Sequence, residues 1–219
     1  MRQEFAMPKQ PIRVLLVDDH AVVRAGYARL LKLAGDIEVA GEADSGERAY
    51  ALCREHNFDV IVMDLSLPGM SGIETTRRIC SRHPGTRVLV FSVHEEAIFV
   101  RRALAAGATG YIGKRAVADV LIEGVRQVAC GREYLDPGLA DDIVASAQDG
   151  TSPLACLSSR EFEIFRLLAS GSSVNDIAEE LFVSPKTVAN HASRLRAKLG
   201  VGGTAELTRL AIRTGVVGL

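Results

Sequence analysis

Two kinds of hydrophobic pattern alternate along residues 11–131. Short apolar runs that are rich in β-branched residues and bounded by turn formers are typical of buried parallel strands. The stretches between them repeat apolar residues every three or four positions, which predicts amphipathic helices. The predicted strands are Ile12–Val17, Ile37–Gly41, Phe58–Met63, Arg87–Phe91 and Ala108–Ile112. The predicted helices are His20–Ala34, Ser45–His56, Gly72–Arg82, Glu95–Ala106 and Ala116–Ala129. Their alternation predicts an α/β doubly wound parallel five-stranded sheet.

The pattern becomes wholly helical after residue 153. Ser158 and Glu161 form a predicted capping box, and Ser184 followed by Pro185 is typical of a helix start. The predicted helices are Glu161–Ala169, Asn175–Leu181, Pro185–Leu199 and Glu206–Thr214. Two short helices joined by a tight turn predict a helix-turn-helix inside a small four-helix domain.

Polar stretches divide the chain further. Residues 132–153 hold a turn at Asp136-Pro137-Gly138 and a polar run, as expected of a linker, with a short helix predicted near Leu139–Ala147. We therefore predict a disordered tail over 1–10, an α/β domain over 11–131, a linker over 132–153 and an all-α domain over 154–219.

Composition excludes several classes of protein. No apolar run is long enough to span a membrane, and no signal-peptide core is present, so we expect a cytoplasmic protein. The four cysteines are widely spaced and predict reduced thiols. Residues 1–153 carry 18 basic and 21 acidic residues, and residues 154–219 carry 8 and 6. This asymmetry alone does not indicate a nucleic-acid partner.

Charged and hydroxyl residues follow four of the predicted strands. Asp18 and Asp19 follow the first strand, Asp64 the third, Ser92 the fourth and Lys114 the fifth. The carboxyl ends of parallel strands share one edge, where ligands bind, so these side chains should converge. Clustered carboxylates need a counter-charge, and oxygen ligands suit Mg²⁺. The set predicts phosphoryl transfer to a carboxylate.

Ordinary structural roles are open to each residue taken singly. An aspartate after a strand is more often a cap or turn former. Ser92 alone is more often a satisfied hydroxyl, and Tyr111 alone is more often a core residue. His20 and His94 are expected on the surface, in the first turns of helices, and not as metal ligands. The combination of acids and lysine favours a functional site.

The third helix of the second domain is two-sided. Its apolar stripe predicts a buried face, made of Val188, Ala192, Leu195 and Leu199. The opposite face carries Lys186, Asn190, Ser193, Arg194 and Lys198. Such residues contact phosphates and base edges, although an ordinary solvated face remains an alternative on charge alone.

Four motifs in order resemble the receiver domain of two-component response regulators over about residues 11–131. They are Val17–His20, Met63–Gly69, Phe91–His94 and Gly107–Lys114. The resemblance implies a flavodoxin-like fold in which Asp64 accepts the phosphoryl group and Lys114 pairs with it. It also implies that Ser92 moves toward the phosphate and that Tyr111 turns inward with it. Four implied Mg²⁺ contacts are the carboxylates of Asp19 and Asp64, the main-chain carbonyl of Ser66, and Asp18 through water.

The second domain resembles LuxR-type DNA-binding domains over roughly residues 154–217. The matching motifs are Leu157–Glu161, Ile177-Ala178, Val183–Val188, Asn190-His191 and Lys198–Val201. The whole chain thus resembles a response regulator of the NarL/FixJ type. This implies a sensor histidine kinase and promoter DNA as partners, and a homodimer after phosphorylation. The implied DNA contacts are Lys186, Thr187, Ala189, Asn190, Ser193, Arg194 and Lys198. Ala189 stands where a basic residue is common, and Phe182 where glycine is usual.

Two other functions compete with this interpretation. A small-molecule phosphatase would need a second aspartate two residues after the nucleophile, where Ser66 stands. A DNA-binding regulator that ignores phosphorylation would use its receiver only as a docking module. We expect a regulator that can dephosphorylate itself and is not a turnover enzyme.

Overall fold

The computed structural model describes residues 10–139 and 153–217. The first part is a parallel sheet in the order β2-β1-β3-β4-β5-β6. The strands are β1 Ile12–Val17, β2 Ile37–Ala43, β3 Val60–Met63, β4 Arg87–Ser92, β5 Gly110–Gly113 and β6 Tyr134–Leu135. The helices are α1 Ala21–Leu33, α2 Gly46–Glu55, α3 Gly72–Arg82, α4 Ala97–Ala105 and α5 Ala118–Ala129. The predicted doubly wound fold is confirmed.

The central strands are apolar throughout because both faces of the sheet are covered. On one face, Leu15 and Ile61 pack with residues of α2, α3 and α4. On the other, Leu16 and Val62 pack with residues of α1 and α5, among them Val125. Side chains alternate between these two layers along each strand. The arrangement fixes one sheet edge at which the ends of β1, β3, β4 and β5 lie together.

The predicted strand number was wrong, because the sheet has a sixth strand. β6 lies within the predicted linker and pairs in parallel with β5, Gly110 opposite Tyr134 and Tyr111 opposite Leu135. Two residues carry no measurable period, so periodicity could not reveal this strand. Asp136 extends the pairing of β6 with β5, because its N–H donates to the carbonyl of Tyr111 at 2.9 Å. Residues 1–9, and the predicted helix beyond Leu139, lie outside the described residues.

The second part is helical, as predicted. A 3-10 helix, Pro153–Cys156, precedes α6 Ser159–Ala169, α7 Val174–Glu180, α8 Pro185–Leu199 and α9 Thr204–Arg213. The predicted capping box of Ser158 and Glu161 is confirmed. Ser184 also caps α8 by accepting from the N–H of Thr187, with Pro185 in the first turn. Val188, Ala192 and Leu195 are buried and Leu199 is half-buried, which confirms the apolar stripe.

The turn between α7 and α8 contains an unusual residue. Phe182 has a φ of 53°, in the left-handed region that non-glycine residues seldom adopt. Its side chain is 75% exposed. The backbone here therefore has a conformation that suits glycine, but the residue is a phenylalanine whose ring is exposed.

The helical part docks on α4 of the sheet domain. The guanidinium of Arg102 donates to the carbonyls of Leu154 at 2.7 Å and Leu157 at 2.8 Å. It also lies 4.2 Å from the ring centroid of Phe162, and Phe99 meets the same ring edge-on at 5.2 Å. The apolar cores of the two parts are consequently continuous. Within the described ranges, no helix is both long and apolar enough to cross a membrane.

Candidate functional site

The strand ends bring one lysine between two buried carboxylates. Lys114 Nζ lies 2.6 Å from Oδ2 of Asp64 and 2.7 Å from Oδ2 of Asp18. Asp64 is 3% and Asp18 2% exposed. These residues come from the ends of β3, β1 and β5, so the predicted convergence is what the structure shows. Taking these charged groups out of water costs desolvation free energy, so the arrangement indicates a binding role more than a contribution to stability.

One ammonium group compensates only one of the two carboxylates. Burial is the largest influence on Asp64 and raises the pKa of its carboxyl above the usual value, with the charge of Asp18 adding to the rise. Lys114 and the backbone N–H of Ser66 oppose it. Burial opposes the charged form of Lys114, but Asp64 and Asp18 outweigh it and raise the pKa of the ammonium. The pocket therefore holds excess negative charge that a cation would neutralise.

Asp19 lies at the mouth of the pocket beside His20. The carboxylate Oδ1 of Asp19 is 2.7 Å from Nδ1 of His20. One ligand atom from each of Asp18, Asp19 and His20 lies within 4.8 Å of the others, a separation at which a metal ion could be shared. Asp64 is not in that group. His20 is exposed, as predicted.

Ser92 and Tyr111 are fully buried behind the pocket. The hydroxyl of Tyr111 donates to the carbonyl of His94, and the Oγ of Ser92 accepts from the N–H of His94 at 3.3 Å. Burial raises the pKa of the Tyr111 hydroxyl far above its usual value. The ring of Tyr111 is thus already inward in this structure, where we had expected it to turn inward on phosphorylation.

His94 is half-buried, where the sequence predicted an open surface position, and it lies before α4 instead of in its first turn. Its Nε2 lies 3.1 Å from the Oγ of Ser66, and its ring stacks on Phe99 with centroids 4.2 Å apart. Burial, followed by the charges of Arg166 and Lys114, lowers the pKa of His94 to about 4. No local sequence signal could have indicated this, because Phe99 is itself covered by a helix some sixty residues further along the chain.

A cleft of about 920 Å³ opens from the pocket toward the helical domain. Asp19, Ser66 and His94 line one side, and Arg166 and Phe182 line the other. The two sides are also joined by polar contacts.

Two of those contacts come from the first two turns of α6. Arg160 donates to the carbonyl of Gly69 at 3.1 Å. Glu163 is bonded to Arg160 and Ser71, and burial raises its pKa to about 6.

The predicted DNA face of α8 is open to solvent. Six of the seven predicted contact residues are exposed: Lys186, Ala189, Asn190, Ser193, Arg194 and Lys198. Thr187 is half-buried and its hydroxyl is 2.8 Å from that of Ser184. Lys198 is engaged within the protein, since its Nζ lies 2.7 Å from Oε2 of Glu161 and also donates to the carbonyl of Cys156. A contact from Lys198 to DNA would compete with that ion pair.

Comparisons with known proteins match both parts of the chain. Residues 14–126 match the response regulator receiver domain, and residues 155–211 match the bacterial regulatory proteins of the luxR family. The chain belongs to the response regulators. These receiver and LuxR-type matches make it a phosphorylation-controlled, DNA-binding transcription regulator and not a classical enzyme.

Relatives cover nearly the whole regulator. Response regulator UvrY of Escherichia coli K12 is 40% identical over 208 residues, covering 94% of this chain and 95% of UvrY. Response regulator GacA of Pseudomonas aeruginosa is 38% identical over 209 residues, covering 94% and 98%.

Solved structures agree with the fold. A LuxR-family response regulator from Aurantimonas sp. SI85-9A1 has a TM-score of 0.62 and 37% identity, covering 64% of this chain and 99% of that one. RcsB of Salmonella enterica, bound to a promoter, has a TM-score of 0.66 over 92% of this chain and 98% of its own. At 23% identity, the second likeness supports the fold alone.

Proposed function

We propose that Asp64 accepts a phosphoryl group from a sensor histidine kinase, and that the phosphorylated chain binds promoter DNA as a dimer. The observation that carries this proposal is the contact of Lys114 with both Asp64 and Asp18 at 2.6 and 2.7 Å. The ammonium group is already placed where the oxygens of a phosphoryl group on Asp64 would lie. Among the described residues, no other lysine is paired with two buried aspartates.

Phosphoryl transfer to Asp64 requires mainly that the reacting groups are correctly positioned and that the charge is stabilised. One oxygen of Asp64 forms the new P–O bond while the bond from phosphorus to the kinase imidazole breaks, and the imidazole nitrogen keeps the electron pair. The carboxylate charge is replaced by the nearly doubled charge of a phosphoryl group. Lys114 is fixed by Asp18 beside the new oxygens, so the larger charge is met without rearrangement.

The acidic pocket fits Mg²⁺, for which receiver domains generally provide such a site. We assign the ligands to the carboxylates of Asp19 and Asp64, the main-chain carbonyl of Ser66, and Asp18 through water. Oxygen donors and excess negative charge support this set. Mg²⁺ would supply charge neutralisation to the phosphoryl oxygens. His20 contacts one carboxylate oxygen of Asp19 at 2.7 Å, which leaves the other oxygen to serve as a metal ligand.

Ser92, Tyr111 and α4 form the proposed switch. A phosphoryl group on Asp64 would attract the hydroxyl of Ser92, which lies beside Tyr111 at the base of α4. The docked domain contacts α4 through Arg102. The switch therefore acts on the surface that holds the DNA-binding domain.

Dimer formation through α9 is compatible with release of that domain. Thr214 and Gly215, which follow α9, line a second cleft together with Val93 and Arg115 of the receiver. We assign dimerisation to α9, so the end of the helix that would meet a second copy lies against the receiver while the domains are docked. Release would free this end for a second copy, and two copies would add their phosphate contacts on DNA.

Several further assignments belong to the same proposal. We retain 11–131 as the receiver, 132–153 as the linker and 154–219 as the DNA-binding domain, with 132–139 attached to the receiver by β6. Hydrolysis of the acyl phosphate by water gives the regulator its self-dephosphorylation. We place the protein in the cytoplasm, where promoter DNA is found.

The test uses the full chain with Mg²⁺ and beryllofluoride, a phosphoryl mimic. We expect mass in solution to shift to a dimer and promoter affinity to rise, and Asp64→Asn to abolish both effects. Asp59→Asn is the matched control, because Asp59 lies before β3 at the opposite sheet edge and accepts from the N–H of Arg13. Phosphorylation of Asp64→Asn by a kinase at the wild-type rate would refute the assignment.

One observation favours a second candidate function. The DNA face of α8 is exposed while the domains are docked, which would allow DNA binding without phosphorylation and leave the receiver as a docking module. The same experiment separates the two, because this candidate predicts promoter affinity that is unchanged by beryllofluoride.

A further inference from the structure

The imidazole of His94 lies between the phosphorylation pocket and the DNA-binding domain. Its Nε2 is 3.1 Å from the Oγ of Ser66, whose N–H contacts the carboxylate of Asp64 at 3.3 Å. The His94 ring stacks on Phe99, with planes 9° apart. Phe99 in turn meets Phe162 edge-on at 5.2 Å. A continuous chain of aromatic contacts therefore runs from the pocket into α6.

The backbone of the same residue is bonded to both proposed switch side chains. The N–H of His94 donates to the Oγ of Ser92 at 3.3 Å, and its carbonyl accepts from the hydroxyl of Tyr111. Both side chains are fully buried, so no solvent is at hand to replace a lost bond. Movement of the Ser92 hydroxyl toward a phosphoryl group on Asp64 therefore lengthens its bond to His94 or moves His94 with it.

We propose that His94 is a positioning residue that couples occupancy of the phosphorylation pocket to docking of the DNA-binding domain. The inference rests on the proposed function, because it takes Asp64 as the phosphoacceptor. A shift of the His94 ring changes the stacked face of Phe99, whose edge supports Phe162. Packed interfaces respond to small shifts by switching between arrangements, so a displacement at His94 is amplified into loss of the α6 contact.

Coupling of this kind acts in both directions. If occupancy at Asp64 weakens docking, then docking weakens binding at Asp64 by the same factor. Loosening the interface at Phe162 should consequently strengthen binding of a phosphoryl mimic in the pocket, some distance away. This effect should depend on the His94 ring. A residue that merely packs in the core would not produce such a dependence.

The experiment is a double-mutant cycle on the full chain, measuring the Kd of beryllofluoride in the presence of Mg²⁺. The four chains are the wild type, Phe162→Ala, His94→Ala and the double variant. We expect Phe162→Ala to lower the Kd about fivefold or more when His94 is present, and less than about twofold in the His94→Ala background. Hydrogen exchange over residues 159–169 reports docking in the same samples.

The conservative variant His94→Phe separates the ring stack from general damage to the fold. It keeps an aromatic ring on Phe99 and the backbone bonds to Ser92 and Tyr111, which carry the proposed coupling, and it removes only the contact of Nε2 with Ser66. We expect it to restore the effect of Phe162→Ala on the Kd and the rise in exchange of α6 that beryllofluoride causes. Because His94→Phe preserves packing, it gives a result even if His94→Ala is poorly folded.

The inference would be overturned if Phe162→Ala changed the Kd of beryllofluoride equally with and without the His94 ring. It would also be overturned if His94→Phe failed to restore the effect of Phe162→Ala on that Kd. If the wild type binds no beryllofluoride, or Asp64→Asn binds it equally well, the proposed function fails and the inference with it. Loss of coupling in His94→Ala, while beryllofluoride still binds, would establish the role of His94.

Discussion

The guanidinium of Arg102 lies 4.2 Å from the ring centroid of Phe162, so a cation from the receiver covers an aromatic ring of the DNA-binding domain. The same group donates to the carbonyls of Leu154 and Leu157 at the start of that domain. Three interactions at the junction between the domains thus depend on one side chain. Arg102 is therefore a polar attachment of α4 to the docked domain.

Replacing Arg102 with alanine should release the DNA-binding domain. Hydrogen bonds from a charged group and a cation–π contact together contribute roughly 1.5–3 kcal/mol, which shifts the docking equilibrium by about tenfold or more. Small-angle scattering should show a larger radius of gyration without a phosphoryl mimic. Arg78→Ala, which removes an exposed arginine paired with Glu74 on α3, should leave the radius unchanged. An unchanged radius in Arg102→Ala would refute this role.

Removing the pocket lysine should destabilise the receiver most at neutral pH. Lys114→Met leaves two buried carboxylates uncompensated, at a cost of about 3–5 kcal/mol in the free energy of unfolding. Burial already raises the pKa of the Asp64 carboxyl, and loss of the ammonium removes the largest influence that opposes that rise. The folded state then binds a proton at Asp64 more readily than the unfolded state does, so stability returns as the pH falls. Urea titrations at several pH values measure this. Lys32→Met, at an exposed site on α1, is the control, and a loss that is independent of pH would contradict the prediction.

Lys198 and Lys186 should behave differently although both are predicted DNA contacts. Lys198 is paired with buried Glu161 at 2.7 Å, whereas Lys186 is exposed. Lys186→Ala should weaken DNA binding and reduce the slope of affinity against salt by about one, with no change in Tm. Lys198→Ala should lower the Tm as well.

The Tm effect of Lys198→Ala should depend on pH. Burial raises the pKa of Glu161, but bonds from Lys198 and Ser158 outweigh it and lower the pKa below the usual value. A depressed carboxyl pKa stabilises the fold above the unfolded pKa, and that contribution is lost as the pH falls through the folded one. The difference in Tm between wild type and Lys198→Ala should therefore shrink on acidification. Equal Tm values at neutral pH would show that the ion pair contributes nothing.

The turn at Phe182 offers a stabilising substitution. Phe182 has a φ of 53° and is 75% exposed, so it combines backbone strain with little packing. Phe182→Gly removes a strain of about 1–2 kcal/mol and adds about 0.5–1 kcal/mol of unfolded-chain entropy, for a net gain of up to roughly 1.5 kcal/mol. Phe182→Ala removes the ring but keeps the strain, and should give no gain. Thermal unfolding of the two variants distinguishes strain from contacts of the ring.

Residues with strong local signals were placed correctly from the sequence. The continuous apolar run before Asp64 reflects a strand that is buried on both faces, and the Ser158–Glu161 spacing reflects a local cap. β6 was missed because two edge residues carry no period. The environment of His94 was missed because it depends on packing between α4 and α6, which no local pattern encodes.

Attachment of β6 to β5 limits how far the two domains can separate. Asp136 accepts from the N–H of Gly113, directly before Lys114, so the connecting chain leaves the receiver within a few residues of the pocket. Between Leu139 and Pro153 there are fourteen residue steps, which reach at most about 50 Å. A chain connection of this length keeps a released domain close to the receiver. Redocking therefore competes with dimerisation at all times, and a weak docking interface is enough to limit formation of the dimer.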